Sequence, residues 1–348
     1  MDRMTAGGRK VAISDYDYDD VAIERRILEA AGCELVALQA KTEEELIAGA
    51  QGCAAIINQY ATVGAKTMDA VPTLRQVARY GIGVDIVDVE AATRRGILVT
   101  NVRDYCTEEV ADHAIGLMLS LARHLGPYDR AAHQGNWHWQ AARPVYRLRG
   151  SVMGVLSFGR IGRAIAARGL AFGFEVIAHD PYVTDDEMRH VGVAPVGKNE
   201  LVERSDVFMN QAPLTPQTRH FLGEPELRRM KRRAIVVNTG RGPTIDNAAL
   251  YRALKEGWIA AAGLDDLEQE PAHHHTWSPT EIPLLGLENV IVTPHVGYYS
   301  EESIRLCREI AASEVARVLT GQRPHNPVNN VRLADGSWSL PGATAPSS

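Results

Sequence analysis

Three short stretches of this chain carry side chains able to move protons and grip anions: Asn238-Thr239-Gly240-Arg241-Gly242, Leu264-Asp265-Asp266-Leu267-Glu268-Gln269-Glu270-Pro271 and Thr293-Pro294-His295-Val296-Gly297. A guanidinium such as Arg241 can hold a carboxylate and polarise a neighbouring carbonyl. An imidazole such as His295 gives or takes a proton near neutral pH. Together they suit hydride transfer to a 2-oxo acid, which needs a cation on the carboxylate and an acid for the new alkoxide. Glu270 is the candidate to bond the far ring nitrogen of His295, fixing its tautomer and raising its pKa. Singly, each residue has a plainer reading: a surface ion pair for Arg241, a solvated acid for Glu270, a structural histidine for His295. Their joint occurrence just past predicted strands carries the argument.

A second constellation suits a cofactor. Gly154-Val155-Leu156-Ser157-Phe158-Gly159-Arg160-Ile161-Gly162 follows a predicted strand and opens a predicted helix, the context a dinucleotide fingerprint requires. Gly159 would let the backbone approach the pyrophosphate and Gly162 would let helix and strand pack closely. Arg160 and Ile161 begin the helix whose terminus supplies N–H donors and partial positive charge. Ser157 stands where the tight turn normally uses glycine, so an altered affinity or pose is expected. Eighteen residues after Gly162, Asp180 ends the next apolar run. A carboxylate there accepts from ribose hydroxyls and repels a 2′-phosphate, and no arginine follows in Pro181-Tyr182-Val183-Thr184, so NAD (NADH) is favoured over NADP.

These residues need a frame of parallel strands. Apolar runs at Val11–Ser14, Glu34–Leu38, Ala54–Ile57 and Ile97–Thr100 alternate with helical patterns. A second series comprises Val152–Leu156, Glu175–Ala178, Val207–Asn210, Ala234–Asn238, Ala261–Leu264 and Val290–Val292. Between the series, Thr107–His124 bears Ile115, Leu117, Met118, Leu119 and Leu121 on more than one helix face, which calls for burial on two sides, in one core or at an interface. Ser300–Thr320 repeats apolar residues at helical spacing. Asp335–Ser348, rich in Gly, Pro, Ser and Ala, reads as a mobile tail.

With 348 residues, 45% hydrophobic and 23% charged, the chain is a globular protein large enough for two domains. A net charge of −6 offers no broad basic field for nucleic acid. The Arg228–Arg233 cluster reads as a helix-end cap. Cys33, Cys53, Cys106 and Cys307 show no CxxC spacing, and neither a leader nor a membrane span is expected, so a cytoplasmic location follows. His273-His274-His275 cannot converge on one ion and reads as a solvated loop. Trp137-His138-Trp139 would either roof a substrate pocket or pack an interdomain surface.

The sequence resembles the D-isomer-specific 2-hydroxyacid dehydrogenase family from about Val11 to Asn329, and within it the C-terminal-binding-protein branch. The resemblance rests on Arg79-Tyr80-Gly81-Ile82-Gly83-Val84-Asp85, Tyr105-Cys106-Thr107-Glu108-Glu109-Val110-Ala111-Asp112-His113, His179-Asp180-Pro181-Tyr182, Asn238-Thr239-Gly240-Arg241-Gly242 and Pro294-His295-Val296-Gly297-Tyr298-Tyr299-Ser300-Glu301. It implies an α/β fold with two Rossmann-like domains. A flavodoxin-like substrate domain (9–103 and 296–330) would surround an inserted, doubly wound NAD domain (104–295), with 331–348 a tail, the active site in the cleft and a homodimer formed through the NAD domains. It implies Arg241, Glu270 and His295 as catalytic trio and Asp265 on the nicotinamide carboxamide. Ala212, Pro213, Thr239, Gly240 and Gly297 would line the cofactor. Arg79, Gly81, Ile82 and Gly83 would receive the carboxylate of a small 2-oxo or 2-hydroxy acid. Tyr298 stands where the corepressor branch carries tryptophan, which bears on substrate identity. The alternative implied by that branch is an NAD-sensing binding protein in which turnover is incidental.

Overall fold

The two series of apolar runs form two all-parallel sheets, each in its own compact unit. The computed structural model describes residues 9–270 and 276–331. One unit joins the chain up to Tyr105 with that from Ser300, and the other spans Cys106–Tyr299; the boundaries expected from sequence are 103/104 and 295/296. The triple histidine at 273–275 and the stretch 335–348 lie outside the described residues.

In the first unit β1 (Lys10–Ile13), α1 (Ala22–Ala30), β2 (Glu34–Ala37), α2 (Glu43–Gly49), β3 (Ala55–Asn58), α3 (Ala65–Ala70), β4 (Gln76–Arg79), α4 (Val89–Arg94) and β5 (Leu98–Thr100) alternate. The strand order β2-β1-β3-β4-β5 is the flavodoxin-like one. β4 is absent from the strands expected by sequence because polar residues bracket only two apolar ones. Its Val77 and Ala78 are nevertheless buried, and the buried Gln76 donates from Nε2 to Thr100 Oγ1 at 3.0 Å. The C-terminal helix, Glu301–Leu319, packs on α1. A buried ion pair ties them: Arg308 Nε and Nη2 donate to Glu24 Oε1 and Oε2, each at 2.8 Å, and Tyr80 Oη donates to the same Oε1 at 2.9 Å. Both prongs of the carboxylate are matched, which a wholly buried glutamate needs in place of water.

The second unit runs α5 (Thr107–Ala122), α6 (Leu125–His133), β6 (Val152–Leu156), α7 (Arg160–Phe172), β7 (Glu175–His179), α8 (Asp185–His190), β8 (Ala194–Pro195), α9 (Lys198–Arg204), β9 (Val207–Asn210), α10 (Glu224–Leu227), β10 (Ile235–Asn238), α11 (Asn247–Lys255), β11 (Ala261–Leu264) and β12 (Val290–Val292). The order β12-β11-β10-β9-β6-β7-β8 reverses between β6 and β9, and a parallel sheet opens its carboxyl ends to ligands at such a switch. The two-sided apolar character of α5 is met inside this unit: it packs on α7, β10 and β11, with Leu117 so close that a Cβ on Gly263 would lie 3.0 Å from it. In the Arg228–Arg233 cluster, Arg228 pairs with Glu224, Arg229 with Glu203, and Lys231 and Arg233 with Asp206. No described helix is long and apolar enough to cross a membrane.

Removing Glu24 strands a buried guanidinium. Glu24→Ala is expected to cost about 3–5 kcal/mol, measured by urea unfolding; a loss below about 1 kcal/mol would mean that the contacts of Arg308 to Asp20 suffice.

Candidate active site

The strand-turn-helix cradle forms at the carboxyl end of β6. Ser157 takes a left-handed backbone with φ of 72°, a conformation that costs a residue with a Cβ about 1–2 kcal/mol. Its N–H donates to His179 O at 2.9 Å and its hydroxyl to Asp180 Oδ2 at 3.4 Å. Gly159 caps α7 with nothing within 4 Å of where a Cβ would stand. At Gly162 a Cβ would lie 2.2 Å from Ser157 O, so that position admits only hydrogen. Arg160 and Ile161 start α7. Asp180 sits just past β7, where Phe158 N–H donates to Oδ2 at 2.7 Å and Tyr182 N–H to Oδ1 at 2.8 Å. An open glycine, the N–H donors of a helix start and a fixed strand-end carboxylate as acceptor are the features that a dinucleotide requires.

A buried polar knot sets the neighbouring loops. Asn210 Nδ2 donates to Asn238 Oδ1 at 3.0 Å and to Thr244 Oγ1 at 2.6 Å, while Ala212 N–H donates to Asn210 Oδ1 and Gly240 N–H to Asn238 Oδ1, both at 3.1 Å. Thr239 accepts from Gln211, and Pro213 O accepts from Thr218 at 2.5 Å. The turn is wedged tightly: a Cβ on Gly240 would come 3.0 Å from Ala212 O, and one on Gly242 would come 2.0 Å from the carbonyl carbon of Leu267. Asn238 Nδ2 donates to Arg241 O at 3.2 Å. The backbone that presents Arg241 is therefore fixed from both sides.

Asp265 organises the adjoining loop. Its Oδ1 accepts from Thr293 Oγ1 at 2.6 Å and Val296 N–H at 2.9 Å, and its Oδ2 accepts from Gly297 N–H at 2.8 Å. His113 Nε2, from α5, lies 2.9 Å from Thr293 Oγ1 and 3.4 Å from Asp265 Oδ1. Burial opposes the charge of Asp265, but these donors outweigh it and hold the carboxyl below its ordinary range. A Cβ on Gly297 would stand 2.8 Å from Oδ2.

His295 lies inside this loop, itself left-handed with φ of 53°, its N–H donating to Asp265 O at 2.9 Å. Its Nδ1 is 3.1 Å from Glu270 Oε1. Asp266 Oδ2 is 3.9 Å from the same nitrogen and 4.0 Å from Arg241 Nη1. Burial works against the imidazolium, yet the Glu270 hydrogen bond and the charges of Asp266 and Glu270 prevail and raise the pKa of His295. The ring of Tyr298 meets that of His295 edge-on, with centroids 6.1 Å apart. In the first unit, Arg79 ends β4 and Gly81, Ile82 and Gly83 form the following turn. Gly81 has φ of 131°, and Ile82 O accepts from Asn101 Nδ2 at 2.7 Å. Trp137 and Trp139 are exposed in the second unit. Asp266, His113 and Thr293 are the additions that sequence reasoning did not single out. Nothing in the spacing of His113 to Thr293, 180 residues apart, points to their contact.

A dinucleotide cradle on a doubly wound sheet, with an arginine, a histidine and their carboxylates at neighbouring strand ends, defines a nicotinamide-dependent oxidoreductase. Residues 115–297 match the family model described as "D-isomer specific 2-hydroxyacid dehydrogenase, NAD binding domain". The chain belongs to this family and is an NAD-dependent D-2-hydroxyacid dehydrogenase. It is 42% identical over 270 residues to a glyoxylate reductase of Korarchaeum cryptofilum, covering 77% of this chain and 80% of that one. It is 38% identical over 322 residues to a D-3-phosphoglycerate dehydrogenase of Methanocaldococcus jannaschii, covering 92% of this chain and 59% of that one. Among solved structures, D-lactate dehydrogenase of Aquifex aeolicus complexed with NAD and lactic acid superposes with a TM-score of 0.84 at 27% identity, covering 91% of this chain and 98% of that one.

Relief of the left-handed strain gives a direct test of the altered turn. Ser157→Gly is expected to stabilise the protein by about 1 kcal/mol and to tighten NADH binding, measured by thermal unfolding and fluorescence titration. Unchanged stability and affinity would show that the hydroxyl contact to Asp180 offsets the strain.

Proposed function

We propose that the protein reduces a small 2-oxo acid to a D-2-hydroxy acid with NADH, or runs the reverse, with His295 as the acid and base. The observation that carries this reading is the hydrogen bond between His295 Nδ1 and Glu270, which assigns Nδ1 to the carboxylate and leaves Nε2 as the nitrogen for substrate. The nicotinamide, when bound, supplies or receives the hydride. In reduction, the imidazolium protonates the carbonyl oxygen as it becomes a hydroxyl; in oxidation, the neutral ring removes that proton. Arg241 grips the substrate carboxylate and polarises the carbonyl. Asp180 favours NAD, since a 2′-phosphate would meet a carboxylate already fixed by backbone donors. Asp265 would hold the carboxamide, and Ala212, Pro213, Thr239, Gly240 and Gly297 would line the cofactor beside Ser157, Gly159, Arg160, Ile161 and Gly162.

The segments 9–103 and 296–330 would form the substrate domain, where Arg79 and the Gly81–Gly83 turn receive the carboxylate on an anion-binding set of N–H groups, with Tyr298 shaping the pocket. Residues 104–295 would form the NAD domain and carry a homodimer interface. Leu125, Trp137 and Trp139, all exposed, are apolar surface that such a dimer would cover. Four buried cysteines suit the reducing cytoplasm. The names of relatives, glyoxylate reductase and glycerate dehydrogenase among them, direct the search to short 2-oxo acids.

Purified protein is assayed with NADH and a panel of 2-oxo acids. Turnover of at least one is expected; NAD binding without turnover of any would favour the NAD-sensing alternative. His295→Gln should lower kcat by about 10²–10⁴-fold while leaving NADH binding nearly unchanged, and equal loss of both would contradict the assigned role. Because reduction needs the protonated ring, its rate should fall as pH rises through the elevated pKa of His295. The reverse reaction should fall as pH drops through the same value, and identical profiles in the two directions would overturn the assignment.

A further inference from the structure

Two cations that must act on one small substrate repel each other, and Arg241 does lower the affinity of His295 for its proton. Asp266 lies between them, with Oδ2 4.0 Å from Arg241 Nη1 and 3.9 Å from His295 Nδ1. Resting on the function proposed above, we propose that Asp266 is a positioning residue of this site: a second carboxylate that offsets the repulsion, keeps the imidazole protonated and draws the guanidinium toward it.

The division of labour between the two carboxylates follows from their surroundings. Glu270 makes the hydrogen bond, but its side chain and that of His295 are each 36% exposed, so water screens their attraction. Asp266 makes no hydrogen bond to the ring but is only 7% exposed, where charges act through a lower effective dielectric. Glu270 therefore orients the ring and Asp266 supplies the less screened field. The place of Asp266 is held by the same wedge that fixes Arg241: Asn238 Nδ2 donates to Arg241 O at 3.2 Å and to Asp266 O at 3.5 Å, and a Cβ on Gly242 would collide with the backbone at Leu267 and Glu268. The turn that presents the arginine and the turn that presents the aspartate thus cannot move independently.

Four groups of this unit bear on the titration of Asp266: burial pushes its carboxyl up to about 6, with His295, Arg241 and the Gly242 N–H pulling down and Glu270 pushing up. Asp266 is therefore mostly ionised at neutral pH, and its pull on His295 fades as pH falls through about 6. The cluster titrates as a coupled unit.

The test is a titration of the His295 imidazole by NMR in the full-length protein saturated with NAD, with His295→Gln identifying the signal. In Asp266→Asn the midpoint of His295 should fall by about one unit or more, and the alkaline limb of the reduction rate should move down with it. KM for the 2-oxo acid should rise as the guanidinium of Arg241 loses the pull of this carboxylate, and Asp266→Ser, also uncharged, should behave in the same way. A His295 midpoint within about 0.2 units of wild type in either folded variant overturns the proposal. So does unfolding of both, which would make the carboxylate a structural requirement. The imidazole titration needs no turnover, so a protein inactive on every 2-oxo acid would refute the enzymatic reading and leave this measurement decisive on its own.

Discussion

Asp265 holds a charge almost wholly removed from water, and the loop that carries His295 is shaped by what that charge must collect. Thr293, Val296 and Gly297 all donate to it, and His113 reaches it from α5. A buried carboxylate left short of donors would cost several kcal/mol, so the chain from 293 to 297 has little choice of path. One result of that path is the left-handed backbone at His295, strain of the kind that persists only where surroundings over-determine it. The imidazole is thus presented from a loop that behaves as rigid structure.

Close approach is the second constraint, and glycine is its instrument. Gly162 brings α7 against the Ser157 turn, Gly240 brings the Arg241 loop against Ala212, and Gly242 brings it against the backbone of Leu267 and Glu268. Each contact is to main chain, which cannot rotate aside as a side chain could. The Asn210–Asn238–Thr244 knot then joins the ends of β9 and β10, so the segment after Asn210 and the arginine share one support. Precision of this kind comes from backbone packed on backbone, as positioning for hydride transfer requires.

The legible part of this molecule is the part written locally. Strands such as Val152–Leu156 and Val207–Asn210 are unbroken apolar runs bounded by polar turns, and Gly159, Gly162 and Asp180 fall within one strand-helix-strand unit, so spacing alone links them. β4 was not legible: Gln76 and Arg79 flank two apolar residues, and the glutamine is tolerated only because Thr100, 24 residues away, accepts its amide. Asp266 was equally hidden. Beside Asp265 it looks like one more loop acid, and its meaning depends on Arg241 and His295 arriving from other strand ends. The contacts of His113 to Thr293 and Asp265 are likewise products of the assembled sheet.

Ser157 shows how local and assembled effects trade against each other. By its own backbone preference serine opposes the left-handed turn, and spacing alone predicts a weakened cradle. In place, its hydroxyl lies 3.4 Å from Asp180 Oδ2, the oxygen that also accepts from Phe158 N–H. A contact that long is a weak hydrogen bond at best, smaller than the cost of the turn. The net sign is therefore unfavourable for the turn but modest. Asp180 stays fixed by two short backbone bonds with or without the hydroxyl, so the departure at Ser157 bears on the strain of the turn and leaves the strand-end carboxylate in place.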